Sequence, residues 1–106
     1  MRQIMVLVVL IGIFWLSADA SEGLPVSGTI STAGVRRSSF PDLAKVSPVN
    51  AVKSALSVKH GKLLKLELES EKGFLVYSIE LVASEKEVVE IIVDAGSGDI
   101  LRIERE

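Results

Sequence analysis

Gly61-Lys62-Leu63-Leu64-Lys65-Leu66-Glu67-Leu68-Glu69-Ser70-Glu71-Lys72-Gly73-Phe74-Leu75-Val76-Tyr77-Ser78-Ile79-Glu80-Leu81-Val82 is the stretch that decides the fold. Its apolar residues recur at every second position, the period of a strand with one buried and one solvated face. Leu64, Leu66 and Leu68 are expected on one face, with Lys65, Glu67 and Glu69 on the other. Ser70-Glu71-Lys72-Gly73 is a polar turn whose glycine suits a left-handed backbone position. The return run places Leu75, Tyr77, Ile79 and Leu81 together. Its opposite face carries Phe74, Val76, Ser78, Glu80 and Val82, too apolar for open solvent, which predicts a central strand or a face that something covers.

Downstream the alternation continues. Val88 to Asp94 predicts a third strand with Val89, Ile91 and Val93 in phase. Ala95-Gly96-Ser97-Gly98 then turns the chain, with Gly98 expected at positive φ. Asp99 to Glu104 returns with Leu101 and Ile103 in phase and Glu90, Arg102 and Glu104 as polar counterparts. Upstream the period changes to that of a helix. Ser47-Pro48 is a start signal, because a Ser hydroxyl accepts from a free first-turn N–H and Pro has none to leave unpaired. Val49, Val52, Ala55 and Leu56 follow at helical intervals, and Ala51 and Ala55 permit close approach to a sheet. Lys59 and His60 are expected in the last turn and Gly61 at a left-handed C′ position, so the helix is predicted over about 48–60. Ser39, Phe40 and Pro41 mark a further short helical turn.

The chain has 106 residues, one domain at most, with a formal net charge of −2 and no cysteine. Met1-Arg2-Gln3 is a short positive head, and Ile4 to Leu16 carries no charge but is shorter than the about 20 residues of a bilayer span. Ser17-Ala18-Asp19-Ala20 supplies small residues at an A-x-A exit. Together these predict a signal peptide, residues 1–20, cleaved after Ala20. An uncleaved anchor is the alternative that Trp15 and the length of the run keep open. Cleavage removes Arg2 and Asp19, so the net charge stays at −2 and no strong field draws nucleic acid or an anionic membrane. Without disulfides, the small exported domain must stand on one compact core. Residues 21–46, rich in Ser, Gly and Thr at their start, read as a flexible leader to a domain spanning 47–106.

The blocks Gly61-Lys62-Leu63, Leu66-Glu67-Leu68-Glu69, Lys72-Gly73, Val76-Tyr77-Ser78-Ile79-Glu80 and Val93-Asp94-Ala95-Gly96-Ser97-Gly98-Asp99-Ile100-Leu101, behind a helix with Ala51 and Ala55, resemble the PepSY domain. That module is named for peptidase propeptides and secreted bacterial proteins, and the likeness runs from Ser47 to about Glu104. The Val-Asp-Ala…Gly-acidic-aliphatic block is its most specific part. His60 stands where Pro commonly precedes the helix-ending Gly, and Asn50 where an acidic residue is usual. The resemblance implies an α+β fold, one helix packed across a four-stranded antiparallel meander. It also implies an extracytoplasmic, non-enzymatic role, with modulation or inhibition of a protease as the leading proposal, and it carries over no catalytic residue.

Weighed one by one, the chemistry-bearing residues support that expectation. Asp94 to Asp99 brackets a Gly-rich turn, yet two carboxylates and one hydroxyl do not fill a calcium shell, and a hairpin turn accounts for them. His60 has no Cys, second His or carboxylate at ligand spacing. No Ser lies in a G-x-S-x-G elbow. Glu67, Glu69 and Glu71 read as a solvated strand face, and Arg36-Arg37 as a solvated pair or a docking point. No catalytic, cofactor-binding or metal-binding residue is expected. The candidate partner surface is Phe74, Val76, Val82 and Ile92 on the second sheet face, unless Phe40 and Leu43 fold back over it or a second copy covers it. The expected function is binding: an exported module, periplasmic or extracellular, monomeric or weakly dimeric, acting on an extracytoplasmic protease. The alternative is an envelope-associated structural or small-ligand-binding module without a protease partner.

Overall fold

The computed structural model describes residues 28–106; the expected signal peptide, its cleavage point and residues 21–27 lie outside them. The elements are α1 (Phe40–Leu43), preceded by a 3-10 turn at Arg37–Ser39, α2 (Pro48–Val58), β1 (Lys62–Glu71), β2 (Phe74–Ser84), β3 (Glu87–Asp94) and β4 (Ile100–Arg105). The strands form one antiparallel sheet in the order β1-β2-β3-β4, the meander that the alternation predicts. Ser47 caps α2, its Oγ accepting from the Asn50 N–H at 3.1 Å. Ala51 and Ala55 are fully buried because the helix lies directly over β2 and β3. Beneath it sit Leu75, Tyr77, Ile79, Leu81, Val89, Ile91 and Val93. Ile79 and Ile91 face each other across β2 and β3 without exposure, and each contributes about 2 kcal/mol by leaving water.

The structure corrects the sequence reading at four places. A bulge between Leu63 and Lys65 takes Leu64 out of register, so Leu66 and Leu68 pack on the core while Leu64 is exposed. A second irregularity, where Val93 pairs Ile100 and Ile92 pairs Arg102, separates Leu101 from Ile103. Ile100 therefore enters the helix-side core and Leu101 the opposite face. One extra residue in a strand reverses the alternation beyond it, which a count of period two does not register.

The helix end is the third. α2 stops at Val58, Lys59 is an extended C-cap, and Gly61 has no positive φ. Gly61 is there for space: a Cβ on it would meet the Val82 carbonyl oxygen at 2.8 Å. Gly73 and Gly98 do take positive φ, 88° and 83°, and Lys72 joins Gly73 at φ 52° in a two-residue hairpin turn, the pattern that suits the twist of the flanking strands.

The fourth is the leader. Its described part, residues 28–46, packs against the sheet. Thr32 N–H donates to the Gly73 carbonyl and Leu75 N–H to the Ile30 carbonyl, both at 2.9 Å, and Ser31 bridges Phe74. Ile30, Val35, Phe40, Leu43, Ala44 and Val46 join the helix-side core, with Phe40 buried. These apolar residues are spaced irregularly, so no single period exposes them in the sequence. The turn into α2 is held by Tyr77, whose hydroxyl donates to the Val46 carbonyl at 2.7 Å.

Candidate functional site

The second sheet face is built from alternate residues of all four strands. Val76 and Ile92 meet there, both fully buried, with Leu101 packed against them. Phe74 and Val82 are half-buried and stand at opposite ends of β2, Phe74 beside Ser31 and Glu71, and Val82 between Lys62 and Val88. The structure thus brings together two of the four residues expected at a partner surface. Phe40 and Leu43 pack on the helix side and cover none of them.

Arg102 covers the Val76–Ile92 pair. It stands opposite Ile92 on β4, and its guanidinium reaches Glu71 on β1, at the other edge of the sheet. That ion pair spans β2 and β3, so the arginine stem must lie over the apolar pair. Glu90 at 3.9 Å and Glu104 at 3.5 Å also flank the guanidinium, so one cation stands among three carboxylates. Ser78 donates to Glu90 Oε2 at 2.7 Å. Burial and the neighbouring Glu67, Glu71 and Glu90 hold the Glu69 carboxyl above its ordinary range. The face is an anionic surface around a small apolar centre, with Arg102 as the cation among its glutamates. In the sequence, Arg102 carries no sign that it crosses the sheet.

The Asp94 turn is equally occupied. Asp94 is fully buried, and its carboxylate accepts four hydrogen bonds, from Thr29 N–H and Oγ and from Ser97 N–H and Oγ. Burial pushes its pKa up, but these four donors outweigh it and hold the carboxyl below the usual range. Oδ1 accepts one of these bonds and Oδ2 three, and Gly98 takes the positive φ expected of the turn. Among the described residues, no group of three or more His, Cys, Asp or Glu is placed to hold a metal ion. His60 is exposed beyond the end of α2, and Arg36 and Arg37 are exposed at the 3-10 turn.

The sheet has two edge strands, β1 and β4, and it is beside β1 that an apolar groove opens. Among the described residues β1 pairs with β2 alone, leaving its outward backbone groups free. α2 lies over β2 and β3, so Leu63 of β1 is exposed on the helix side, while Leu66 is only partly covered by its contact with the core. There an open, apolar groove of about 360 Å³ runs between Pro48, Val49, Val52 and Lys53 of α2 and Leu63 and Leu66 of β1. In the sequence Val49 falls in the helical pattern, and Leu63 stands outside the expected Leu64, Leu66, Leu68 face. Their exposure follows from where the helix crosses the sheet, which no local pattern encodes.

Among the described residues no helix is long and apolar enough to cross a membrane. Comparisons with curated proteins and with solved structures find no match. A comparison with protein families matches residues 45–104 to PepSY, described as the peptidase propeptide and YPEB domain. The matched span holds α2 and all but the last residue of the sheet, including the Asp94 turn and Tyr77. The chain therefore belongs to the PepSY family.

Proposed function

We propose that this chain is an exported, non-enzymatic PepSY module that modulates or inhibits an extracytoplasmic protease, docking through a sheet edge. The observation that carries this reading is family membership in a peptidase-propeptide group over the span that forms the helix and sheet. Two features of the surface support the route. The outer face is closed by Arg102 and its glutamates, whereas β1 presents free backbone groups beside an apolar groove. Adding a strand to such an edge draws affinity from main-chain hydrogen bonds and specificity from the neighbouring pocket. The apolar groove also favours the second reading, a module that holds a small apolar ligand.

The test is to purify the chain from the exported fraction, identify proteases retained with it, and titrate their activity. Dose-dependent slowing or acceleration of a retained protease is the expected result. If no protease is retained and none responds, the modulator reading is abandoned.

A further inference from the structure

The order of charges along β1 points to a particular occupant for its free edge. Following the register with β2, Lys62, Lys65, Glu67, Glu69 and Glu71 lie on the outer face, while Leu63, Leu66 and Leu68 lie on the helix side. The strand is cationic in its first half and anionic in its second. Two such strands laid antiparallel bring each half against its opposite.

We propose that β1 pairs antiparallel with β1 of a second copy, about a two-fold axis passing through Leu66. Residues directly opposite in an antiparallel pair share a face, so the axis must pass through a residue position. An axis through Lys65 or Glu67 sets that charge against itself, and one through Leu68 sets Glu67 against Glu69. An axis through Leu66 sets Lys65 against Glu67 twice, and the next outer-face positions are Lys62 and Glu69. Opposite charges facing across strands stabilise a pair, and like charges oppose it. Lys65 and Glu67 are exposed and 3.6 Å apart within one copy, so they are available to exchange partners.

The same axis stands perpendicular to the sheet and keeps both α2 helices on one face. The two grooves then adjoin, and Val49 and Leu63, exposed by 65% and 51% in one copy, become covered. The bulge at Leu64 limits the regular stretch, which keeps the contact small and the dimer weak, with a dissociation constant on the order of 10 μM. The assembly closes at two, because each copy has one β1 edge. In the dimer that edge is unavailable to a protease strand.

Sedimentation velocity on the chain from the exported fraction, from about 1 μM to about 1 mM so as to bracket that constant, tests the pairing without any protease. Its outcome is therefore separate from the modulator reading. Wild type is expected to pass from monomer to dimer. Lys65→Glu and Glu67→Lys should each weaken the dimer by about 10-fold or more, since each creates two like-charge pairs. An equimolar mixture of the two variants should restore it, because every facing pair is again opposite in sign. Leu66→Cys introduces a thiol into a chain that has none, and it should form a disulfide-linked dimer under mild oxidation. Far-UV circular dichroism of each variant checks that the monomer is folded. A wild type that stays monomeric throughout, or a mixture no tighter than either variant alone, overturns the proposal.

Discussion

Thr29 and Asp94 are joined by two hydrogen bonds, Thr29 N–H to Oδ1 at 3.0 Å and Thr29 Oγ to Oδ2 at 2.7 Å. The contact ties the start of the described chain to the β3–β4 turn, so the turn that marks the family also anchors a segment outside the family match.

Asp94→Ala is expected to destabilise the fold by about 2 kcal/mol, because it removes the charged acceptor of four part-buried hydrogen bonds. Urea unfolding measures the loss, and hydrogen exchange should show residues 28–32 released first. Gly96→Ala should disturb the same contact, since its Cβ would collide with Thr29 Oγ. A stability unchanged in Asp94→Ala would show that the anchor is dispensable.

The pH dependence has two opposite contributions. The Asp94 carboxyl is held low in the fold, so its stabilisation is full above the ordinary aspartate value and lost as pH falls through the lowered one. The Glu69 carboxyl is held high, so its contribution favours the fold in acid and is lost as pH rises through the raised value. Glu69→Gln should therefore stabilise the protein near pH 7 by about 0.5 kcal/mol after allowance for solvent screening, with the gain vanishing in acid. Urea midpoints measured across pH 3 to 8 for wild type, Glu69→Gln and Asp94→Asn separate the two.

Tyr77→Phe removes the hydroxyl that holds the Val46 carbonyl and is expected to cost about 1 kcal/mol. Tyr77 is the only tyrosine, so phenolate absorbance reports it alone. Burial pushes its pKa up, and the folded protein should ionise above the ordinary tyrosine range. Ionisation at the value of a free tyrosine would count against the buried hydrogen bond.

Arg102→Ala uncovers Val76 and Ile92 and leaves Glu71 and Glu90 without their cation. It is expected to cost about 2 kcal/mol, the guanidinium being partly exposed, and to raise binding of a hydrophobic dye. Arg102→Met keeps the apolar stem and should bind less dye than Arg102→Ala at equal protein concentration. Equal dye binding by wild type and both variants would remove the roofing role.

The export reading has its own test. Trp15 is the only tryptophan and precedes the expected cleavage point, so the exported chain should lack tryptophan emission and its intact mass should lack residues 1–20. A mass that retains them indicates an uncleaved anchor.

The sequence by itself determined the α+β class, the helix start at Ser47, the order of four strands and the turns at Gly73 and Gly98, because caps, periods and positive-φ glycines act over a few residues. It also carried the family in its Val93 to Leu101 block. Only the tertiary structure decided which faces are open. The bulge at Leu64 and the irregularity at Leu101 each shift register by one residue, and so exchange what is buried for what is exposed. Arg102 reaches from β4 across Ile92 and Val76 to Glu71 on β1, and residues 28–46 join the core through contacts distant in sequence. Val49 and Leu63 stay open beside the β1 edge, because burial depends on where α2 crosses the sheet, a relation between elements that neither element's own pattern contains.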